Sequence, residues 1–235
     1  MPSRTRIDIS STEHVTAVVY PAPARKRAGI CLLLAHGAGG SQASPFMVEV
    51  AGGLAARGID AVTFNFIYSE QGRKLPDRSD KLEACWRGAI AAVRAGALGK
   101  SLGRDRFAIG GKSMGGRIAS QVAAADAEGV SGLVLLGYPL HPPGRPEQPR
   151  TAHLADLRIP LLIVQGARDA FGTPGELRPV LRRLKAPAEL CVVEGGDHSF
   201  KVPKRAGPPQ EQVYERVLGA VDRWLRAMIA AKTLR

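Results

Sequence analysis

The sequence predicts an α/β fold in which a mostly parallel sheet carries helices on both faces. Two observations predict it. Apolar segments of strand length alternate with segments of helical period, and parallel neighbours need the crossovers that such helices supply. The strand segments are also near-continuously apolar, as strands buried on both sides are. With 235 residues, 45% hydrophobic and 23% charged, the chain is expected to form a single domain over residues 1–235.

The elements follow in order. HVTAVVY and ICLLLA are β-rich and flank the turn-like PAPARKRAG, which suggests a hairpin leading into a buried strand. FMVEVAGGLAARG has a helical period that stops at Gly58, and IDAVTFNF reads as the next strand. A helix from about Ser79 to Ala97 precedes the strand RFAIGG, and a helix from Met114 to about Ala127 precedes GLVLLGYP. Then come IPLLIVQG, a helix near Pro174 to Leu184, the strand AELCVVEG and a final amphipathic helix from about Pro208 to Ala230. Two irregular stretches, IYSEQGRKLPDR and HPPGRPEQPRTAH, leave strands at their carboxyl ends, where open α/β sheets place ligands. Neither is long enough to build a substantial helical lid.

The start of the chain, MPSRTRIDISS, lacks the apolar segment of a secretory signal or anchor, so a cytoplasmic protein without membrane attachment is expected. Cys31, Cys85 and Cys191 show no pairing or metal spacing and are expected to be free buried thiols. The net charge of +12 permits nonspecific attraction to anions. Its arginines are dispersed and no nucleic-acid-binding motif accompanies them, so no specific nucleic-acid partner is expected. A charge-driven nucleic-acid role would show as binding lost steeply with salt. A local cluster, Lys201, Lys204 and Arg205, offers a bias toward anionic substrates.

The stretch AIGGKSMGGR admits two chemistries. A Walker-type phosphate loop needs a glycine where this chain has Arg106. The alternative is G-x-S-x-G, the strand-turn-helix elbow that exposes a nucleophilic serine at the edge of a hydrolase sheet, with Gly111 and Gly115 relieving the crowded turn around Ser113. A serine hydroxyl needs an imidazole to take its proton, and the imidazole needs a carboxylate to fix its tautomer. In the chain order this fold uses, ARDAFG offers Asp169 after one strand and GDHSF offers His198 after the last. Asp197 is the alternative acid, disfavoured because adjacent residues in a tight loop rarely aim a carboxylate at the neighbouring ring.

The developing oxyanion needs preorganised amides. Met114 supplies one, and AHGAGGS supplies another from Ala38 or, second, Gly39. Gln42 breaks the dinucleotide pattern that this loop otherwise suggests. His36 is expected to shape the loop and to line the substrate site, as is Tyr68 with the EQGRK segment; His141 either lines the site or is ordered by neighbouring prolines. His14, His141 and His153 lack metal-ligand spacing, so no metal and no other cofactor is expected.

With these residues placed, the chain resembles the small α/β-hydrolases described as dienelactone-hydrolase-like, in the branch shared with a noncatalytic chromatin acetyltransferase complex subunit and a testis-expressed protein. The resemblance rests on LAHGAGGS, FNFIYSEQGRKLPD, GGKSMGGRIAS, GYPLHPPGRPE, QGARDAFG and GGDHSF, and runs over most of the chain. It implies a triad of Ser113, Asp169 and His198 and no cofactor. Dienelactone hydrolases proper carry cysteine where this chain has Ser113, so lactone specificity does not follow. The expected activity is serine-dependent, carboxylesterase-like cleavage of carboxylic esters or thioesters of small to medium size. A noncatalytic binding or scaffold protein retaining the fold is the alternative.

Overall fold

The computed structural model describes residues 1–99, 102–103, 106–203 and 207–233. Its strands are β1 (Ser3–Asp8), β2 (His14–Tyr20), β3 (Cys31–Ala35), β4 (Asp60–Phe64), β5 (Phe107–Lys112), β6 (Gly132–Leu136), β7 (Leu161–Gly166) and β8 (Ala188–Val193). They form one sheet in the order β1-β2-β4-β3-β5-β6-β7-β8. From β4 through β8 every neighbouring pair is parallel, while β2 runs antiparallel to both β1 and β4.

Burial explains the arrangement. Every residue of β3, β4, β6 and β7 is buried, so these strands require cover on both faces. On one face, Leu32 and Leu34 of β3 pack with Met47 and Leu54 of α1 (Pro45–Ala56) and with Leu218 and Leu225 of α6 (Gln210–Thr233). On the other, Cys31 and Leu33 pack with Trp86 of α3 (Ser79–Arg94) and Ile118 of α4 (Met114–Ala125). The period-2 alternation of one strand thus feeds two separate cores. A short α2 (Ile67–Glu70) follows β4, and α5 (Pro174–Leu181) precedes β8.

The fold class read from the sequence is the one observed, with one pairing corrected. No hairpin joins HVTAVVY to ICLLLA: β4 lies between β2 and β3, and the hairpin partner of β2 is β1. The segment SRTRID escapes a sequence reading because, as an edge strand, it buries only Ile7 fully and otherwise looks polar. α3 stops at Arg94, three residues early, where Gly96 turns left-handed at φ 73°. Cys31 and Cys85 are buried free thiols, whereas Cys191 on the outer strand β8 is only half-buried. No helix among the described residues is long and apolar enough to cross a membrane.

The chain crosses from β3 to β4 on one side, and then from β4 past β3 to β5 on the other. The carboxyl ends of β3 and β5 therefore lie at the point where the winding reverses, which is where such sheets open a crevice.

Candidate active site

The turn after β5 puts Ser113 at φ 51° and ψ −116°, a left-handed conformation that costs a non-glycine residue about 1–3 kcal/mol. The turn is held on both sides: the Ser113 amide donates to the Leu136 carbonyl at 3.0 Å, and the Ser113 carbonyl accepts from the Arg117 amide at 3.0 Å. Glycine is needed next to it. A Cβ on Gly115 would run into the Ala35 carbonyl and sit 2.6 Å from the carbonyl oxygen of His36. This close approach of α4 to the end of β3 is what brings Ser113 beside the loop that follows β3.

Ser113 Oγ lies 2.9 Å from His198 Nε2, and His198 Nδ1 lies 2.7 Å from Asp169 Oδ2. Asp169 follows β7 and is buried; His198 follows β8. Facing a carboxylate, Nδ1 carries the proton, which leaves Nε2 to accept from the serine hydroxyl. Asp169 is itself held: Oδ1 accepts from the Phe171 amide at 2.8 Å, and Oδ2 accepts from Gln165 Nε2 at 2.8 Å. Gln165, fully buried, also donates to the Gly172 carbonyl and accepts from the Tyr138 amide. The Phe171 ring lies against the imidazole, with centroids 4.2 Å apart and planes 32° from parallel. Asp197 closes its own loop instead, its Oδ1 accepting from the amides of Ser199 and Lys201.

The amides of Met114 and Ala38 have no hydrogen-bond acceptor among the described residues, and both residues line the cleft beside Ser113. Gly39 is in left-handed turn geometry and is not among the lining residues. The cleft measures about 570 Å³. Its lining includes Pro76, Asp77, Ser79 and Leu82, around the start of α3, and Arg117, Pro139, Arg150 and Phe171. A second hollow of about 380 Å³, with Phe46, Lys201 and Tyr214 in its lining, shares Gly37, Ala38, Lys112 and Ser199 with the first.

Three residues expected to line the site stand behind it. His36 is 1% exposed; its Nδ1 donates to the Gly37 carbonyl at 2.8 Å and its Nε2 accepts from the Phe66 amide at 3.2 Å. Burial pushes its pKa down to about 4, against the Gly37 hydrogen bond and the charge of Glu70. Tyr68 is fully buried, its hydroxyl directed at the Gly37 carbonyl at 3.4 Å, and burial pushes it up to about 12. Both brace the loop after β3 from within. His141 is buried between the Pro142 carbonyl and Glu176 Oε1, which puts it in the ordering role. The wall assigned to EQGRK is formed a few residues later, from Pro76 to Leu82.

The sequence reading missed Lys112, Arg117, Arg150, Phe171 and Gln165. Lys112 precedes the serine, and its Nζ is buried without a hydrogen-bond partner, 5.6 Å from the centre of the Phe200 ring. Burial pushes its pKa down to about 8, while Asp169 and Asp197 pull the other way. Of the basic cluster, Lys201 lines the second hollow, while Lys204 and Arg205 lie outside the described residues. Among the described residues, no group of three or more His, Cys, Asp or Glu side chains is placed to hold a metal ion.

The sequence pattern of the family described as alpha/beta hydrolase domain matches residues 28–226. Among solved structures, a dienelactone hydrolase from Anabaena variabilis ATCC 29413 superposes with a TM-score of 0.73 at 20% identity, over 96% of this chain and 98% of that one. XC6422 from Xanthomonas campestris, described as an α/β serine hydrolase without a lid, gives 0.72 at 20% identity over 96% and 94%. Est1E from Butyrivibrio proteoclasticus gives 0.72 at 16% identity over 97% and 99%. At these identities the likeness is one of fold.

Proposed function

Since the chain belongs to the alpha/beta hydrolase domain family, we propose that it is a serine hydrolase that cleaves carboxylic esters or thioesters of small to medium size. The observation that carries the reading is the unbroken hydrogen-bonded line from Ser113 through His198 to Asp169, with contacts of 2.9 Å and 2.7 Å. Ser113 Oγ attacks the acyl carbon as its proton passes to His198 Nε2, and Asp169 holds the ring and stabilises its charged form. The negative charge on the carbonyl oxygen meets the Met114 and Ala38 amides, where each such donor is worth about 3–4 kcal/mol to the transition state. His198 then returns the proton to the departing alcohol or thiol. Water, deprotonated by the same nitrogen, attacks the acyl-serine and releases the acid.

The strained backbone at Ser113 supports the reading, because such strain concentrates where a side chain must be presented. The cleft of about 570 Å³ suits a compact acyl group. A fluorophosphonate probe tests it: labelling of the native protein that disappears in Ser113→Ala is the expected result. A native protein that takes no label favours the scaffold alternative, and labelling that survives the substitution places the nucleophile elsewhere.

A further inference from the structure

Ester hydrolysis alone leaves one feature of the cleft unused. Arg117, one turn into α4, and Arg150, which ends the connection after β6, both line the cleft that holds Ser113. Arg117 Nη1 donates to the neutral amide of Gln121 at 3.3 Å, and its Nε is buried with no acceptor among the described residues. Among the described residues no carboxylate pairs with either guanidinium.

The surrounding groups offset the charge of the pair only in part. Glu83, whose charge favours the Arg117 cation, is itself engaged by Arg87 and Ser79. Asp77, which lines the same cleft, is paired with Arg73 through Oδ1, and its buried Oδ2 has no partner among the described residues. Burial, and then Arg117 itself, push His153 down to about 4, so it adds no charge near neutral pH. The Tyr138 hydroxyl donates a hydrogen bond to the Arg150 carbonyl at 2.6 Å, and burial keeps it a phenol. Arg117 is disfavoured as a cation both by burial and by the charge of Arg150. A buried donor left unpaired costs about 1–3 kcal/mol, and a guanidinium presents its donors in the fork that a carboxylate matches.

We propose that Arg117 and Arg150 form an anion subsite, and that the substrate is an ester or thioester carrying a carboxylate at a second position. The hydrolytic step is the one given above; the pair binds the carboxylate and fixes which bond is brought to Ser113. This substrate class rests on the hydrolase reading, whereas the subsite itself does not.

The test compares matched substrates. Mono-p-nitrophenyl glutarate against p-nitrophenyl valerate places the acid on the acyl side, and 4-acetoxybenzoate against its methyl ester places it on the leaving group. In one of these pairs the native protein should favour the acidic member at least tenfold in kcat/KM. That ratio should fall at least tenfold in Arg117→Gln and in Arg150→Gln, with partial rescue in Arg117→Lys. If Arg117→Gln does not fold, Arg150→Gln, on a loop, carries the comparison. An acidic-to-neutral ratio near one in both pairs, or one unchanged in both variants, overturns the proposal. Saturable binding of glutarate to Ser113→Ala, lost on adding Arg150→Gln, supports the subsite without any turnover, and its absence counts against it. Fluorophosphonate labelling of the same preparations reports the hydrolase reading separately.

Discussion

Asp169 is the most constrained side chain of the site: it is 1% exposed and accepts from His198, Gln165 and the Phe171 amide. Asp169→Asn keeps its shape but turns an acceptor into a donor, which favours the imidazole tautomer with its proton on Nε2. We expect kcat for a short p-nitrophenyl ester to fall by roughly three to four orders of magnitude. The same preparation should still melt cooperatively, and a loss below tenfold would show that the carboxylate does not orient His198. Ser113, Asp169 and His198, which hydrogen bonds bring together, could be named as candidates from the sequence because each follows a readable strand in a fixed chain order. Asp197, disfavoured for its place directly beside His198, turns its Oδ1 to the Ser199 and Lys201 amides. Arg117 and Gln165 gave no sign: one looks like an ordinary polar helix position and the other like a lone amide ending an apolar strand. Gln165 also accepts from the Tyr138 amide, 27 residues away, and Arg117 feels the charges of Glu83 and Arg150, distant in sequence, and no local pattern encodes such pairs.

Among the elements, the elbow between β5 and α4 has the least freedom. Gly115→Ala must push its methyl into the Ala35 carbonyl, and backbone cannot yield as a flexible side chain can. We expect a loss of about 1–3 kcal/mol in urea unfolding, or failure to fold. Gly52, inside α1, has nothing within 4 Å of where a Cβ would stand. Gly52→Ala should therefore stabilise by about 0.5–1 kcal/mol in the same assay, through helix propensity alone. Equal effects at the two sites would refute the steric account. The elbow was readable from five residues because its glycines answer to contacts within the turn and with one adjacent strand. The β1–β2 hairpin was not, since the partner of a strand is decided by which neighbours cover its faces, and β1 offers one buried apolar side chain as a clue.

For the molecule as a whole, layer order and burial on both faces were written in the alternation of apolar runs. Acid sensitivity was not, because it depends on depth. His36 is held neutral in the folded chain, with its pKa pushed down to about 4, while an unfolded histidine titrates near 6.5. Between those values the unfolded chain binds the extra proton, so stability is complete above about pH 6.5 and drains away as pH falls toward 4. This one group accounts for at most about 3 kcal/mol, and His153, shifted in the same direction, adds to it. Urea unfolding at intervals from pH 7 to pH 4.5 should show the decline; a flat profile would contradict the burial of these rings. The connection between β6 and β7 carries only the 3-10 turn Ala152–Asp156, with no helix to roof the cleft. In the mechanism proposed above, a cleft without such a roof gives a small alcohol or amine the same access to the acyl-serine as water. Which nucleophile takes the acyl group would then be set by what is dissolved nearby rather than by a closing element.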